Sequence, residues 1–415
     1  MHDTDRQRLM SERILITGAG IVSAMGLGVE ATYSALLQGE SRIGRIRHLH
    51  TEHTEFPVGE VDMSNDGMAS LLGVSYPVSR LRTVMMGMMA AREAVDMAGL
   101  SAGDMSRSAL VSGTTVGGMD HTEEHFRSLM EAGDTGGDYE AMKYNDCGAS
   151  TELLAASLGR FRMVTSTSTA CSSAANAIIL GANLIKAGLV DMAVVGGTEA
   201  LTRFHLNGFN TLMILDTERC RPFDRDRSGI NLGEGAAYLV LESERSALAR
   251  SARVLAELSG YANACDAFHQ TATSDDSEGA FLAMSRALAM AGIEPQRVDY
   301  VNAHGTGTPN NDRCELAAMR RIWGDRLPPF SSTKAFTGHT TSASGSIEAV
   351  ICLLSITRGL IPRNIGWTSP IEEGAVPVLD NVTGADIRYV VDNSFGFGGN
   401  DSSLVFSKYM DDHGE

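Results

Sequence analysis

Three residues of this 415-residue chain have the types and settings that covalent catalysis requires. Cys171 lies directly before an apolar stretch that predicts a helix. A thiol at a helix N-terminus feels the positive end of the macrodipole, so we expect a lowered pKa for Cys171 and more nucleophilic thiolate. His304 and His339 lie far downstream, each in a glycine-rich turn. A poised cysteine with two such histidines indicates acyl-transfer chemistry.

The elements that must position these residues alternate between strand and helix. Residues 172–187 have a broad apolar face and end before a glycine, which predicts a buried helix that fixes Cys171. Apolar runs bounded by glycines, such as 191–197, predict central strands, and the second half continues the alternation with a strand at 298–302 leading into the His304 turn. The pattern is typical of an α/β protein with a two-fold arrangement.

Composition and charge exclude several classes of protein. The net charge of −17 opposes nonspecific binding to nucleic acid. Six scattered cysteines without a Cys-x-x-Cys pair argue against a zinc site and a disulfide framework, and fit a reducing cytoplasm. No apolar run approaches the roughly 18 residues of a membrane span, and the polar N-terminus has no apolar signal core.

Gly18 and Gly20 follow a short apolar strand and weakly match a dinucleotide-binding fingerprint. A third glycine at the right spacing and an acidic ribose ligand about twenty residues on are both missing. A tight strand-to-helix turn is the better interpretation, and we expect neither a dinucleotide cofactor nor a metal.

Six segments, taken in order, resemble one enzyme family. They are residues 168–173, 221–229, 232–236, 302–308, 331–339 and 393–399. With them the chain resembles the elongating β-ketoacyl-acyl-carrier-protein synthases of the thiolase-like superfamily, from Arg13 to Lys408. The resemblance implies a five-layer αβαβα fold of two similar halves, 13–255 with the nucleophile and 256–410 with the two histidines. It implies a ping-pong, decarboxylative Claisen condensation of an acyl thioester with malonyl-acyl-carrier protein.

The resemblance also assigns roles to individual residues. Cys171 would hold the acyl chain as a thioester, and the backbone N–H groups of Cys171 and Phe397 would form the oxyanion hole. His304 and His339 would stabilise the enolate formed when carbon dioxide leaves malonyl. Lys334 would be a positioning and electrostatic residue rather than a Schiff base.

Other residues would support this catalytic set. A buried Lys334 needs an acidic partner, for which Glu315 is a better family match than Asp312. Thr308 precedes Pro309, so helix capping is the alternative to its phosphopantetheine-binding role. The residues that the resemblance places at the phosphopantetheine or acyl chain are Thr306, Thr308, Val116, Phe395 and Phe397.

The chain departs from the family pattern near the second histidine and at the carrier surface. Residues 340–345 are rich in hydroxyls where the family usually has Leu-Gly-Ala-Ala-Gly, and 211–214 lack an arginine that is common there. Because of these departures, the sequence does not identify the acyl chain length or the cognate carrier protein. The hydroxyl-rich segment favours a specialised polyketide or polyene pathway over ordinary fatty-acid synthesis. Arg80 and Arg82 lie where the family has basic residues for docking an acidic carrier.

The resemblance implies a homodimer, with a heterodimer alongside a ketosynthase-like partner as the alternative. No tightly bound cofactor is expected, because phosphopantetheine arrives on the acyl carrier protein. A coenzyme A-dependent thiolase would need a second cysteine near the C-terminus, and the 396–399 turn has none. A noncatalytic chain-length partner typically lacks the nucleophile, and a papain-like hydrolase needs no second glycine-flanked histidine.

Overall fold

A computed structural model of the chain describes residues 12–132 and 139–410. The strands of these residues are β1 Ile14–Ser23, β2 Gly26–Leu27, β3 Ala109–Gly113, β4 Met163–Thr167, β5 Met192–Glu199, β6 Gly235–Ser243, β7 Ala256–Cys265, β8 Tyr300–Asn302, β9 Phe330–Ser331, β10 Tyr389–Gly396 and β11 Asn400–Ser407. The helices are α1 Val29–Gln38, α2 Asn65–Leu72, α3 Arg82–Ala98, α4 Ala102–Met105, α5 Met119–Ala132, α6 Cys147–Leu158, α7 Ser173–Lys186, α8 Arg203–Thr211, α9 Glu244–Ala249, α10 Glu278–Ala291, α11 Pro309–Trp323, α12 Lys334–Thr337 and α13 Ser344–Arg358. Short 3₁₀ turns occupy Val78–Arg80, Tyr139–Tyr144, Pro295–Arg297 and Thr341–Ala343.

The sheet is built from one strand order used twice. From its outer edge inward the first half runs β4-β3-β5-β6-β1, and the second half runs β9-β8-β10-β11-β7. In each half the outer three strands pair with one another in parallel. Each of the two inner strands then pairs antiparallel with the strand before it in this order. The halves meet where β1 pairs with β7 through Leu15–Glu257 and Ile16–Ala256. This repeated topology agrees with the predicted α/β, thiolase-like fold, which similar solved structures confirm.

Two helices form the middle layer and carry the site. Helix α7 packs on β3 and β5, and α13 packs on β10 and β6 and against α7. The outer faces of the sheet are covered by α3, on β1 and β6, and by α10, on β7 and β11. The two middle helices share one hydrophobic core, to which Ile178 and Ile351 contribute side chains. Close packing in this core holds both helices rigidly. Whatever lies at their N-termini is therefore held firmly.

The glycines near the start of the chain serve helix packing instead of a turn. Strand β1 continues through Gly18 and Gly20, so the predicted strand-to-helix turn is wrong. A Cβ at Gly20 would lie 2.0 Å from the carbonyl oxygen of Ala90, and one at Gly18 would lie 2.2 Å from that of Ala94. Helix α3 crosses β1 so closely that only glycine fits.

In the described residues, each helix is too short or too polar to cross a bilayer.

Candidate active site

Cys171, His304 and His339 line a single cavity of about 310 Å³. Phe395, Phe397, Thr306 and Thr308 line the same cavity. All seven residues are predicted from the sequence, and the fold brings them together although Cys171 and His339 are 168 positions apart. Among residues 12–132 and 139–410, no three His, Cys, Asp or Glu side chains are grouped as metal ligands would be.

A sharp turn between β4 and α7 presents the Cys171 thiol. Ala170 has a φ of 52°, in the left-handed region that is costly for a residue with a Cβ. Ser173 holds this turn, because its hydroxyl accepts the N–H of Thr169 at 2.9 Å and donates to the carbonyl of Ala170 at 2.6 Å. The thiol therefore sits at a fixed point just ahead of α7, with 5% of Cys171 exposed.

The electrostatic setting of Cys171 differs from the prediction. Burial raises the pKa of its thiol to about 11, although the Lys334 ammonium and the backbone N–H groups of Phe397 and Cys171 favour the thiolate. The predicted lowering of this pKa is wrong, because the loss of hydration outweighs the field of a helix terminus. Near neutral pH the group is a thiol, so its neighbours must stabilise charge on sulfur at the moment of reaction. One of these neighbours is His339, whose Nε2 lies 3.0 Å from Sγ.

The two histidines face each other across the cavity floor. Their ring centroids are 5.4 Å apart and the rings are nearly perpendicular, at 85°. Burial lowers the pKa of each histidine well below its usual value, and the positive charge of Lys334 lowers both further. Both rings are therefore neutral near pH 7, when each can donate one N–H. Glu315 fixes the first of the two turns, because its carboxylate accepts the N–H groups of His304 and Gly305 at 2.8 Å each.

The acidic partner of Lys334 is Glu348, at 2.5 Å between Nζ and Oε1. The prediction of Glu315 or Asp312 for this partner is wrong. Glu315 is used by the His304 turn, and Asp312 accepts the N–H of Phe223 at 2.8 Å. Glu348 was not predicted from the sequence, although it is the one acidic residue of the largely buried helix α13, and such a charge signals a buried partner.

The two threonines after His304 direct their hydroxyls to each other. Thr306 Oγ1 and Thr308 Oγ1 lie 2.8 Å apart, and both residues line the cavity. Thr308 occupies the N-cap position of α11, yet its side chain makes no capping hydrogen bond. The Thr308 hydroxyl therefore does not cap the helix, which was the alternative to its predicted role, and both hydroxyls lie beside the cavity.

Aromatic rings form the cavity wall. The ring centroid of Phe395 lies 5.7 Å from that of His304, and the ring of Phe397 stacks on Phe209 at 5.7 Å. Phe209, on α8, was missed by the sequence analysis, which noted only the lack of an arginine in the following loop. Val116 is buried and is not among the residues that line this cavity; its N–H faces the carboxylate of Glu199 at 3.4 Å.

Arg80 and Arg82 lie in a separate cleft of about 540 Å³. Arg80 is exposed, 3.6 Å from Asp66. Arg82 is buried, and its guanidinium donates to both carboxylate oxygens of Glu234, at 2.6 and 2.9 Å, and to the carbonyls of Met63 and Val61. The docking role predicted for Arg82 is therefore wrong, since all three nitrogens of its guanidinium donate hydrogen bonds inside the protein.

Arg82→Ala should lower the free energy of unfolding by about 3–5 kcal/mol, because it leaves the Glu234 carboxylate buried without its cation. Arg80→Ala is the matched control, and should change stability by less than about 0.5 kcal/mol. Urea denaturation of the two variants measures the difference. Equal stabilities would contradict the structural role of Arg82.

Comparisons with known proteins place most of the chain in one family. The family models described as Beta-ketoacyl synthase, N-terminal domain, and Beta-ketoacyl synthase, C-terminal domain, match residues 11–247 and 255–368. The chain belongs to the β-ketoacyl synthase family. It is therefore an acyltransferase, and the predicted family is confirmed.

Relatives match this β-ketoacyl synthase along almost its full length. The 3-oxoacyl-[acyl-carrier-protein] synthase 2 of Staphylococcus aureus (strain N315) is 35% identical over 413 residues, covering 96% of this chain and 99% of the relative. The solved structure of the ishigamide ketosynthase/chain length factor has a TM-score of 0.89 and 34% identity, covering 96% of this chain and 100% of that one. A ketosynthase in complex with its chain length factor from Xenorhabdus doucetiae has a TM-score of 0.81 and 30% identity, covering 99% and 100%.

Proposed function

We propose that this β-ketoacyl synthase condenses an acyl group carried on Cys171 with malonyl-acyl-carrier protein, releasing carbon dioxide and β-ketoacyl-acyl-carrier protein. The observation that carries the proposal is the cluster at the cavity floor. A thiol lies 3.0 Å from one neutral imidazole, and a second neutral imidazole faces the first at 5.4 Å between ring centroids. One nucleophile with two N–H donors suits a reaction that first transfers an acyl group and then forms an enolate.

In the first half-reaction Cys171 Sγ attacks the carbonyl carbon of the acyl thioester. A C–S bond to Cys171 forms, the C–S bond to phosphopantetheine breaks, and the proton of the Cys171 thiol ends on the released pantetheine thiol. The N–H groups of Phe397 and Cys171, which lie at Sγ, are proposed to bind the oxyanion of the tetrahedral intermediate. Preorganised donors of this kind need no rearrangement as charge develops.

In the second half-reaction His304 and His339 donate N–H groups to the carbonyl oxygen of the malonyl thioester. The C–C bond to the carboxylate carbon breaks and carbon dioxide leaves. The electron pair of that bond stays on the thioester, which becomes an enolate. The enolate carbon attacks the acyl group on Cys171, forming the new C–C bond and releasing Sγ, which takes up one proton. Neutral imidazoles suit this role because they are donors that need not ionise, and burial keeps both rings neutral.

The surrounding residues have supporting roles in this proposal. Lys334, paired with Glu348, supplies a fixed positive charge near the sulfur and both rings. The hydroxyls of Thr306 and Thr308 are proposed to bind the phosphopantetheine arm, since both residues line the cavity. Phe395 and Phe397, which line the same cavity, are proposed as the aromatic gate for the acyl chain. The acyl-pocket role of Val116 stays a prediction.

The chain is proposed to work as two halves, 13–255 and 256–410, in a dimer that receives an acyl carrier protein. The repeated strand order supports the two halves. A homodimer is our first proposal. A heterodimer is the alternative, because two similar solved structures pair a ketosynthase with a chain length factor. We retain Arg80 as a carrier-docking residue because its guanidinium is exposed, and we infer a cytoplasmic setting from six free cysteines.

The pathway proposed is fatty-acid or polyketide chain elongation. The likeness to ketosynthase/chain length factor structures and the hydroxyl-rich 340–345 segment support the specialised pathway. The presence of Cys171 beside two histidines supports a catalytic subunit over a noncatalytic chain-length partner, and favours condensation over simple binding of an acyl chain.

Intact-mass analysis tests the proposed reaction with a panel of acyl-carrier thioesters. We expect the chain to gain the mass of the acyl group, and malonyl-acyl-carrier protein then to discharge it as a carrier-bound product two carbons longer. The same panel on coenzyme A is the control. Loading from coenzyme A alone would favour the thiolase alternative, and absence of loading from every thioester would favour the noncatalytic alternative.

A further inference from the structure

Two hydroxyl groups form a short hydrogen-bond chain that ends at His339 Nδ1, the ring nitrogen on the side away from Cys171. Ser344 Oγ lies 2.8 Å from His339 Nδ1, and Thr340 Oγ1 lies 3.3 Å from Ser344 Oγ. All three residues are at most 2% exposed, so water does not compete for these bonds. Ser344 is the first residue of α13, which holds its side chain on a rigid element.

The hydrogen bond at Nδ1 decides what the opposite nitrogen can do. A neutral imidazole carries one N–H, and the partner of one ring nitrogen selects which nitrogen bears it. If Ser344 donates to Nδ1, the proton lies on Nε2, which faces Cys171 Sγ at 3.0 Å. If Ser344 instead accepts from Nδ1, then Nε2 faces the cavity with a lone pair and has no hydrogen to donate.

Thr340 decides the direction of this hydrogen-bond chain. Within the described part of the chain, Ser344 Oγ is the hydrogen-bond partner of Thr340 Oγ1, and no second one is found. When Thr340 donates to Ser344 and Ser344 donates to Nδ1, each hydroxyl proton has an acceptor. In the reverse direction the Thr340 proton is buried without an acceptor, which proteins strongly avoid. The favoured direction therefore runs from Thr340 through Ser344 to His339.

We propose that Ser344 is a positioning residue that holds His339 as its Nε2–H tautomer, ready to donate to the enolate oxygen during decarboxylation. The inference rests on the proposed function, which assigns that donor role to His339. Ser344 does not touch the reacting atoms, and acts by keeping the proton on the nitrogen that faces them. In the thiol-exchange step the same Nε2–H can donate to the charged sulfur.

Ser344→Ala tests this inference by removing the donor without adding bulk. Acyl loading of Cys171, followed by intact mass, should proceed to completion as in the parent chain. Carbon dioxide release from malonyl-acyl-carrier protein by the loaded enzyme should fall at least about tenfold, because a hydrogen bond that selects a catalytic tautomer commonly contributes that much or more. Ring-¹⁵N histidine NMR should show His339 as Nε2–H in the parent, with a protonated Nδ1 population appearing in the variant.

Three further variants complete the design. Ser346→Ala removes a nearby buried hydroxyl that donates to the Ala343 carbonyl at 3.1 Å, and should leave both the tautomer and decarboxylation unchanged. Ser344→Thr keeps a hydroxyl and should restore the Nε2–H signal, while His339→Ala identifies the His339 resonances by their loss.

Two results would overturn the inference. One is a parent enzyme whose His339 carries its proton on Nδ1, and the other is a Ser344→Ala variant with unchanged tautomer and carbon dioxide release. Either result leaves the proposed function intact if His339→Ala still fails to decarboxylate malonyl. Normal carbon dioxide release by His339→Ala would instead remove the proposed function of His339 itself.

Discussion

Cys171→Ala is expected to abolish the acyl-enzyme and to lower the rate of condensation by about 10⁴-fold or more, the scale seen when a catalytic nucleophile is removed. The physical reason is that the reaction loses its covalent intermediate, so acyl exchange and C–C bond formation can no longer be separated into two steps. Incubation with an acyl-carrier thioester followed by intact-mass measurement should show no added acyl group.

A second buried cysteine provides the matched control for this variant. Cys352 is fully buried in α13, within the apolar core, and does not line the cavity. Cys352→Ala should therefore load the acyl group as the parent chain does. Retention of the acyl mass by Cys171→Ala would show that another residue is the nucleophile.

His304→Ala and His339→Ala should each still acquire the acyl group on Cys171, His339→Ala more slowly because it loses a donor to the charged sulfur, yet both should lose carbon dioxide release. Each variant removes one N–H donor from the developing enolate oxygen, and loss of one such donor costs roughly 10²–10³-fold in rate. The acyl-exchange step is less sensitive, because the oxyanion donors proposed for it are the backbone N–H groups of Cys171 and Phe397. The measurement is release of labelled carbon dioxide from malonyl-acyl-carrier protein by the preloaded enzyme.

A histidine outside the cavity separates catalysis from general loss of structure. His121 is buried, 1% exposed, and packs its ring against His125 instead of lining the cavity. His121→Ala should decarboxylate malonyl at the parent rate when the loaded protein remains folded. Carbon dioxide release at the parent rate from His304→Ala or His339→Ala would refute the role assigned to that histidine.

Local sequence was sufficient to predict the elements that carry the site. The helix predicted at 172–187 is Ser173–Lys186, and the strand predicted at 191–197 overlaps the observed strand Met192–Glu199. An apolar face repeated at helical spacing and an apolar run between glycines are local properties, so they survive in the fold. His304 and His339 could be predicted as catalytic residues for the same reason, because each glycine-rich turn consists of a few consecutive residues.

The sequence predicted the electrostatic environment of two residues, Cys171 and Arg82, incorrectly. The pKa of Cys171 is raised to about 11, because the amount of burial depends on every element that packs over the thiol. Arg82 looked like a docking residue beside Arg80, yet the fold turns it inward onto Glu234, 152 positions away. A partner at that distance along the chain has no local signature, so only the packed structure identifies it.

The amino-acid sequence by itself determined the fold class, the segment order and which cysteine and histidines to examine, since these follow from short-range patterns and from the order of motifs along the chain. The tertiary structure alone decided how those groups meet: Glu348 as the partner of Lys334, Glu315 as the support of the His304 turn, and Ser344 behind His339. The physical reason is that burial, charge and hydrogen-bond direction are properties of what surrounds an atom in space, and the surrounding atoms come from segments far apart in the chain.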